Sequence, residues 1–330
     1  MAVPTAENAK LEYEAGQTLA TYEAMTDSGD QLTFTSSGSL WSRRSGYEPT
    51  VRPNGLITGG VVTPEASVTD NQVDVAALTC YLLGESVTVS AAPDTAITRA
   101  ATDVASISSI TVTAGEAIAV VQGTDSADAT FSETRAAAGG PPLIPVGSIE
   151  IAQVRTTTNV AGAITAAEIF QVVGTHLERW DFPLWDDIYK SGSVTFLSAL
   201  PAVHTGPVPK RVYATFNTPI FAQVSLASEF IPPETTHSVS STQVYGSTVG
   251  SSSSSLNQGS FAAFQQDGVT DPLVGLKNEI LWFRFYPDVY KAPYLLTQGK
   301  LGISRTFPAA AGLSASCTIS ADEAPTEVAA

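Results

Sequence analysis

Polar and apolar residues alternate most clearly near the end of the chain. Over Ile280–Tyr286 (ILWFRFY), Leu281, Phe283 and Phe285 fall on one face, and Ile280, Trp282, Arg284 and Tyr286 fall on the other. Both faces are largely apolar, so each needs cover. Between Tyr294 and Phe307, Leu301, Ile303 and Phe307 alternate with Gly302, Ser304 and Thr306, and over Leu313–Ser320 Leu313, Ala315, Cys317 and Ile319 alternate with serine and threonine. A period of two held over three successive stretches predicts a half-buried antiparallel sheet.

Weaker patterns fill the rest. The first residues read as a polar arm, followed by short strands at Gln31–Thr35 and Gly38–Trp41, and Asn54-Gly55 between Val51 and Leu56-Ile57 predicts a hairpin turn. Strands are predicted at Val87–Ser90, Ile107–Thr113, Ala117–Gln122, Thr130–Glu133 and Val146–Thr156, spaced as in a small sandwich. Val73–Leu83 fits a short helix capped by Asp70 or Asn71, and a buried strand fits nearly as well. In Val146–Thr156, Ile149 and Ile151 oppose Val154, which calls for a bulge or for cover on both faces of a central strand. Ile164–Val173 predicts a helix, and Lys210–Ala227 predicts two strands broken at Thr218-Pro219. Phe230–Asp271, with its Gly250-SSSSS-Leu256 run, shows no period and reads as a long loop that is either disordered or ordered by a partner, with Tyr245, Phe261 and Phe264 as its large anchors.

Composition agrees with a mainly β protein. Hydrophobic residues make up 43% and charged residues 15% of 330, with Thr, Ser, Val and Ala abundant, which favours strands over amphipathic helices. The formal charge is −16, and no basic run exceeds Arg43-Arg44 or Lys210-Arg211, which argues against specific nucleic-acid binding. Val61–Phe170 carries 12 acidic residues against Arg99, Arg135 and Arg155, a local −9 that marks it as a separate module. The division expected is 1–60 with 168–330 as the main body and 61–167 as an insert. The aromatic and acidic stretch holding Trp180, Phe182, Trp185 and Tyr189 reads as the junction. The first residues show no secretory pattern, and no apolar run approaches a membrane span.

Motifs of catalysis are scarce. The sequence holds no G-x-S-x-G, phosphate-cradling glycine loop, H-E-x-x-H or EF-hand loop, and of its three histidines only His176, with Glu178, forms an H-x-E, without the Cys-x-x-Cys a deaminase needs. Asp27/Asp30, Asp125/Asp128 and Asp186/Asp187 fit turn chemistry better than calcium binding. Cys80 and Cys317 sit in apolar runs and read as core residues. No catalytic residue, cofactor or metal site is predicted, and the chain is not expected to be an enzyme. A carbohydrate hydrolase, the least favoured alternative, would draw on Glu178, Asp186 and Asp187.

The terminal FYPDVYKAPYLLTQGKLGISRTFPAAAGLSASCTISADEA, the preceding RVYATFNTPIFAQV and the strand GGPPLIPVGSIEIAQVR together resemble the major tail tube proteins of long, non-contractile-tailed bacteriophages, above all those of Mu-like transposable siphophages. The resemblance implies a β-sandwich or half-barrel core with an inserted small β-sandwich-like domain and one or two short helices. It implies a virion tail subunit, assembled in the host cytoplasm into stacked hexameric rings that form the channel for DNA ejection. Its partners would be copies of itself and the tape measure, tail terminator and distal tail proteins. DNA would pass without specific binding through a lumen lined by acidic or neutral side chains, and no membrane is involved. The 230–271 loop would make the inter-ring contact, and Trp282, Arg284, Tyr286, Tyr245, Phe261 and Phe264 are the expected subunit-contact residues. A receptor-binding fibre domain or a capsid decoration protein shares the same serine- and threonine-rich β composition and is the alternative.

Overall fold

The computed structural model describes residues 8–172, 183–184, 188–309 and 311–329. The fold is mainly β, with several sheets and two short helices, Ile188–Ser191 and Pro272–Gly275. The chain forms two compact units. The first comprises Met1–Leu19, Leu40–Pro49 and Asn217–Ala330, and the second comprises Ala20–Ser39 and Thr50–Phe216. This division differs from the one that charge suggests, because residues 20–39, 50–60 and the described residues between 168 and 216 cluster with the acidic segment rather than with the closing strands.

In the first unit the strands lie in the order Ala227–Ile231, Gly259–Phe264, Ser314–Ser320, Tyr294–Thr306, Ile280–Tyr286, then Lys10–Ala24 through its residues up to Leu19 and Val212–Gln223 through its residues from Asn217. The three closing strands form where alternation places them, and their register follows from burial. Leu301 lies opposite Ile319 and Ile303 opposite Cys317, while Phe283 faces Tyr13 on one side and Thr297 on the other. All of these side chains but Thr297, with Leu11, Phe261 and Leu281, make one apolar cluster. Gly299, opposite Leu281, has a packing role: a Cβ there would meet Ile319 Cγ2 at 2.7 Å and the Ser320 carbonyl at 2.8 Å.

Two expectations fail here. The opening arm is a 15-residue strand, Lys10–Ala24. Its helix-forming composition is overridden by the ladder with Ile280–Tyr286, which pairs Lys10 with Tyr286 and Leu11 with Phe285. Val212–Gln223 runs unbroken through Pro219. Thr50–Pro53 pairs only with Val212–Thr215. Beyond that point the edge has no strand neighbour among the described residues, and the Asn217 carbonyl, of the same parity as Pro219, accepts from Ser42 N at 2.7 Å. A residue lacking an N–H is tolerated on such an edge.

In the second unit, Gly55–Gly59, Leu78–Leu82 and Glu85–Val89 form one three-stranded sheet, and Val62–Pro64, Gln72–Val75 and Ala92–Ala96 form another. A third sheet runs Ile118–Gln122, Ser106–Val112, Ile149–Thr156, Ile169–Gln171. Their inward residues, among them Val73, Cys80, Ile110, Ile151 and Val154, share one core. Ile149–Thr156 is an inner strand, as expected, and it carries the bulge: Ile110 pairs with Ala152 and Thr111 with Glu150, leaving Ile151 unopposed. Glu150 then accepts from Ser109 Oγ and pairs with Arg135 at 2.5 Å.

Other expectations give way to tertiary pairing. Val73–Leu83 is neither a helix nor a single strand but the ends of two, Gln72–Val75 and Leu78–Leu82. The helix predicted over Ile164–Val173 is a single 3-10 turn, Ala166–Glu168, because Ile169–Gln171 is drawn into the ladder beside Ala152–Val154. Thr130–Glu133 is irregular, with the Thr130 N–H held by Asp128 Oδ1 at 2.8 Å. Gly38–Trp41 is likewise not a strand. Asn54-Gly55 does not close a hairpin. Asn54 is buried, its Oδ1 accepting from Leu83 N at 3.1 Å and its Nδ2 donating to the Gly147 carbonyl at 3.3 Å, and the chain leaves one sheet for another there.

Cys80 and Cys317 are free and fully buried, one in each unit's core. Burial pushes their thiols up, to about 11 and about 12. Native protein is therefore expected to react with a maleimide at pH 8 at least on the order of 10²-fold more slowly than a free cysteine, with both thiols reacting after urea unfolding. Rapid native labelling followed by mass spectrometry would contradict this packing.

The Asp27/Asp30 pair serves its turn. Asp30 Oδ1 accepts from Leu32 N and Thr33 N at 2.8 and 2.7 Å and from Ser28 Oγ, which lowers the carboxyl to about 2, while Asp27 accepts from Gln31 N. A lowered carboxyl stabilises the fold above its unfolded value of about 4, and that contribution is lost as pH falls toward 2. Asp30→Asn is expected to flatten this part of the acid limb in pH-dependent urea melts. An unchanged limb would show that the turn bonds carry no linkage.

Candidate assembly surface

Between Ala227–Ile231 and Gly259–Phe264 the first unit extends a two-stranded hairpin, Thr235–Val244 with Ser247–Leu256. Its register is continuous from Thr235 opposite Leu256 to Val244 opposite Ser247. A two-residue turn, Tyr245-Gly246, closes it, with Gly246 at φ +84°, a backbone angle that glycine adopts without a Cβ clash. The Asn257 N–H donates to the Glu234 carbonyl at 3.0 Å and clips the base.

Among the described residues, nothing covers either face of this hairpin. Every residue of the two strands is exposed except Leu256, which is half-buried. On one face three cross-strand hydroxyl pairs bond each other, Thr236–Ser255 at 3.3 Å, Ser238–Ser253 at 2.7 Å and Ser240–Ser251 at 2.8 Å. Val239 and Val249 are exposed, and Tyr245 stands fully in solvent at the tip. Residues 235–256 contain no Asp, Glu, Lys or Arg. An isolated two-stranded ribbon is marginal in water, and ordering a backbone costs about 1–2 kcal/mol per residue. The segment expected as an aperiodic loop is therefore a strand pair, and its small hydroxyl side chains concealed the period.

The expected contact residues separate into three groups. Tyr245 and Phe264 are exposed. Trp282 and Phe261 are interior, each 2% exposed, and so offer no surface to a neighbour. Phe261 packs with its ring 6.0 Å from Phe283. Trp282 lies on the second face of its strand, and that face is covered from within the unit by the irregular 40–49 segment rather than by another subunit: Trp282 Nε1 donates to the Trp41 carbonyl at 2.9 Å. Arg284 and Tyr286 are half-buried. The Arg284 guanidinium lies 3.6 Å from the Phe221 ring centroid and 5.5 Å from that of Tyr294, which also meets Tyr286 at 5.1 Å. This cation–π cluster fixes Arg284 over the sheet.

Sequence reasoning missed the residue that organises this second face. Glu14 is fully buried, and its carboxylate accepts from Ser42 Oγ, from Gln17 Nε2 at 2.8 Å and from the Trp282 N–H at 3.2 Å. It ties the opening strand, the 40–49 segment and the closing strands together. The available signal was the Leu11-x-Tyr13-x-Ala15 alternation, which a polar-arm reading passes over.

In the second unit, carboxylate oxygens of Glu65, Asp74 and Asp94 lie within 4.8 Å of one another. Backbone N–H groups already engage two of these side chains: Glu65 accepts from Ser67 and Thr69, which lowers its carboxyl, and Asp74 accepts from Ala66 and Asp94. His204 is buried, its ring nitrogens 3.0 Å from the Pro209 carbonyl and 2.9 Å from that of Ser148, so it braces a turn. His176, Glu178, Trp180, Phe182, Trp185, Asp186 and Asp187 lie outside the described residues. Compared with known protein families and with curated proteins, the sequence matches none.

Proposed function

We propose that this chain is a structural virion protein, the major tail tube subunit of a long-tailed, non-contractile phage, and that it assembles into stacked hexameric rings. The observation that carries the reading is the uncovered 235–256 hairpin, which supplies a long reach and an exposed aromatic tip without any surface of its own unit to rest on. Contacts that repeat head to tail along an axis use such projections, since each copy supplies both the arm and its acceptor. The mainly β fold and the sequence resemblance support the same reading. The hairpin is the inter-ring arm, with Tyr245 its leading side chain.

Negative-stain electron microscopy of concentrated purified protein, alone and with a tail-initiating partner, tests the reading. Rings or tubes of uniform diameter are expected. A strictly monomeric species under both conditions would overturn it, and trimers that bind host-surface glycans would replace it with the fibre alternative.

A further inference from the structure

Independently of assembly, the second unit contains a cavity of about 300 Å³ between Ala24–Asp27, Phe34 and Val208–Arg211. One wall is apolar and fixed. Met25 and Phe34 are 3% and 2% exposed, the Phe34 ring is held edge-on by Phe196 at 5.6 Å, and Met25 N donates to the Val212 carbonyl at 2.9 Å. Val208 and Pro209 extend the same wall. Ala24 and Thr26 complete the backbone side of the lining, and its charged members are Asp27, Lys210 and Arg211.

Arg211 differs from the other arginines described in this unit. Arg135 pairs with Glu150, Arg155 with Glu133 and Arg99 with Glu168, while Arg52 donates to Tyr22 Oη and the Gly84 carbonyl. Among the described residues, the Arg211 side chain has neither an ion pair nor a hydrogen bond. Asp27, the one carboxylate in the lining, accepts from Gln31 N at 2.9 Å. A half-buried guanidinium with no carboxylate partner among the described residues, inside a chain of charge −16, stands out. We propose that this cavity binds a small organic anion, a single carboxylate or phosphate group on a short apolar body, with Arg211 gripping the anionic group, Lys210 adding charge, and the Met25–Phe34 wall taking the body.

The chemistry suits that ligand. A guanidinium presents paired donors that match a carboxylate or phosphate, and its charge is retained at all working pH values. The volume lies at the small end of ligand pockets, which limits the occupant to on the order of ten non-hydrogen atoms.

Isothermal titration of the full-length protein with hexanoate, its neutral analogue hexanamide and inorganic phosphate tests the proposal. Hexanoate is expected to bind saturably at one site, with hexanamide and phosphate each at least about tenfold weaker. Arg211→Gln should weaken hexanoate at least about tenfold and Lys210→Gln about threefold, and Val208→Trp should block it, with folding of each variant verified by circular dichroism. If Arg211→Gln does not fold, the Lys210→Gln and Val208→Trp results decide. No saturable binding up to about 20 mM, equal binding of hexanamide, equal binding of phosphate, or hexanoate affinity unchanged in the folded lining variants would each overturn the proposal.

Discussion

Replacing Glu14 with alanine is expected to destabilise the first unit by about 3–5 kcal/mol, measured as a lowered midpoint in urea denaturation followed by tryptophan emission. The magnitude follows from what is left behind. The Trp282 N–H and Ser42 hydroxyl point at the carboxylate from positions that water does not reach, since Ser42 and Glu14 are fully buried and Trp282 is 2% exposed. Each buried donor that loses its acceptor costs about 1–3 kcal/mol, and bonds to a charged acceptor stand at the upper end. Glu14→Gln, which keeps an acceptor oxygen, is expected to lose about 1–2 kcal/mol. Ser42→Ala removes one donor, and its effect in the double variant with Glu14→Ala should fall short of additive, because both changes break the same bond. A Glu14→Ala protein within about 1 kcal/mol of the parent would show that the carboxylate is a passenger on that face rather than its anchor.

Excision of the hairpin is expected to separate folding from assembly. Joining Glu234 to Asn257 through a short Gly-Ser linker removes residues 235–256 at a base already closed by the Asn257 N–H bond to the Glu234 carbonyl, 3.0 Å long. No buried side chain is lost, so the melting temperature should stay within about 2 °C of the parent or rise slightly. Polymerisation, followed by light scattering and electron microscopy, should be abolished. On the assembly reading, a single Tyr245→Ala change should slow growth without altering the monomer, because a fully exposed aromatic adds nothing to the fold of its own chain. Tubes that form normally after excision would remove the hairpin from the assembly reading. A large loss of monomer stability would show that it has a partner within its own unit.

The parts of the fold legible in the sequence are those where one face is buried and the other solvated. Leu301–Ile303 and Ala315–Cys317–Ile319 alternate because solvent lies on the other side, and the pattern locates those strands to within a residue. Ile149–Thr156 was legible as an inner strand needing either a bulge or cover on both faces, since Ile149 and Ile151 cannot share a face with Val154 in a regular strand, and the structure has the bulge. Where cover comes from irregular chain, the pattern carries no trace of it. Trp282 announces an apolar second face, but its cover is the 40–49 segment, which has no period to read. Lys10–Ala24 was concealed by glutamates, one of them structural. Serine conceals strands for a different reason: its β preference is weak and both faces of the hairpin are wet, so no contrast marks the alternation. Asn54-Gly55 shows that a turn signal specifies a change of direction without saying which strands it joins. Among the candidate contact residues, the sequence identified aromatic character but not burial, and burial places Phe261 and Trp282 inside while Tyr245 and Phe264 remain outside.

The lack of charge on the hairpin bears on how ionic strength should act. Each chain carries −16, so approaching copies repel one another over about 30 Å at 0.01 M salt and over about 8 Å at 0.15 M. The arm that would meet the next copy has no formal charge to screen. Added salt should therefore quicken encounter while leaving the completed contact nearly unchanged, so that growth accelerates with ionic strength and dilution releases subunits at much the same rate at any salt concentration. An electrostatically fastened polymer would show the reverse, coming apart as salt is raised.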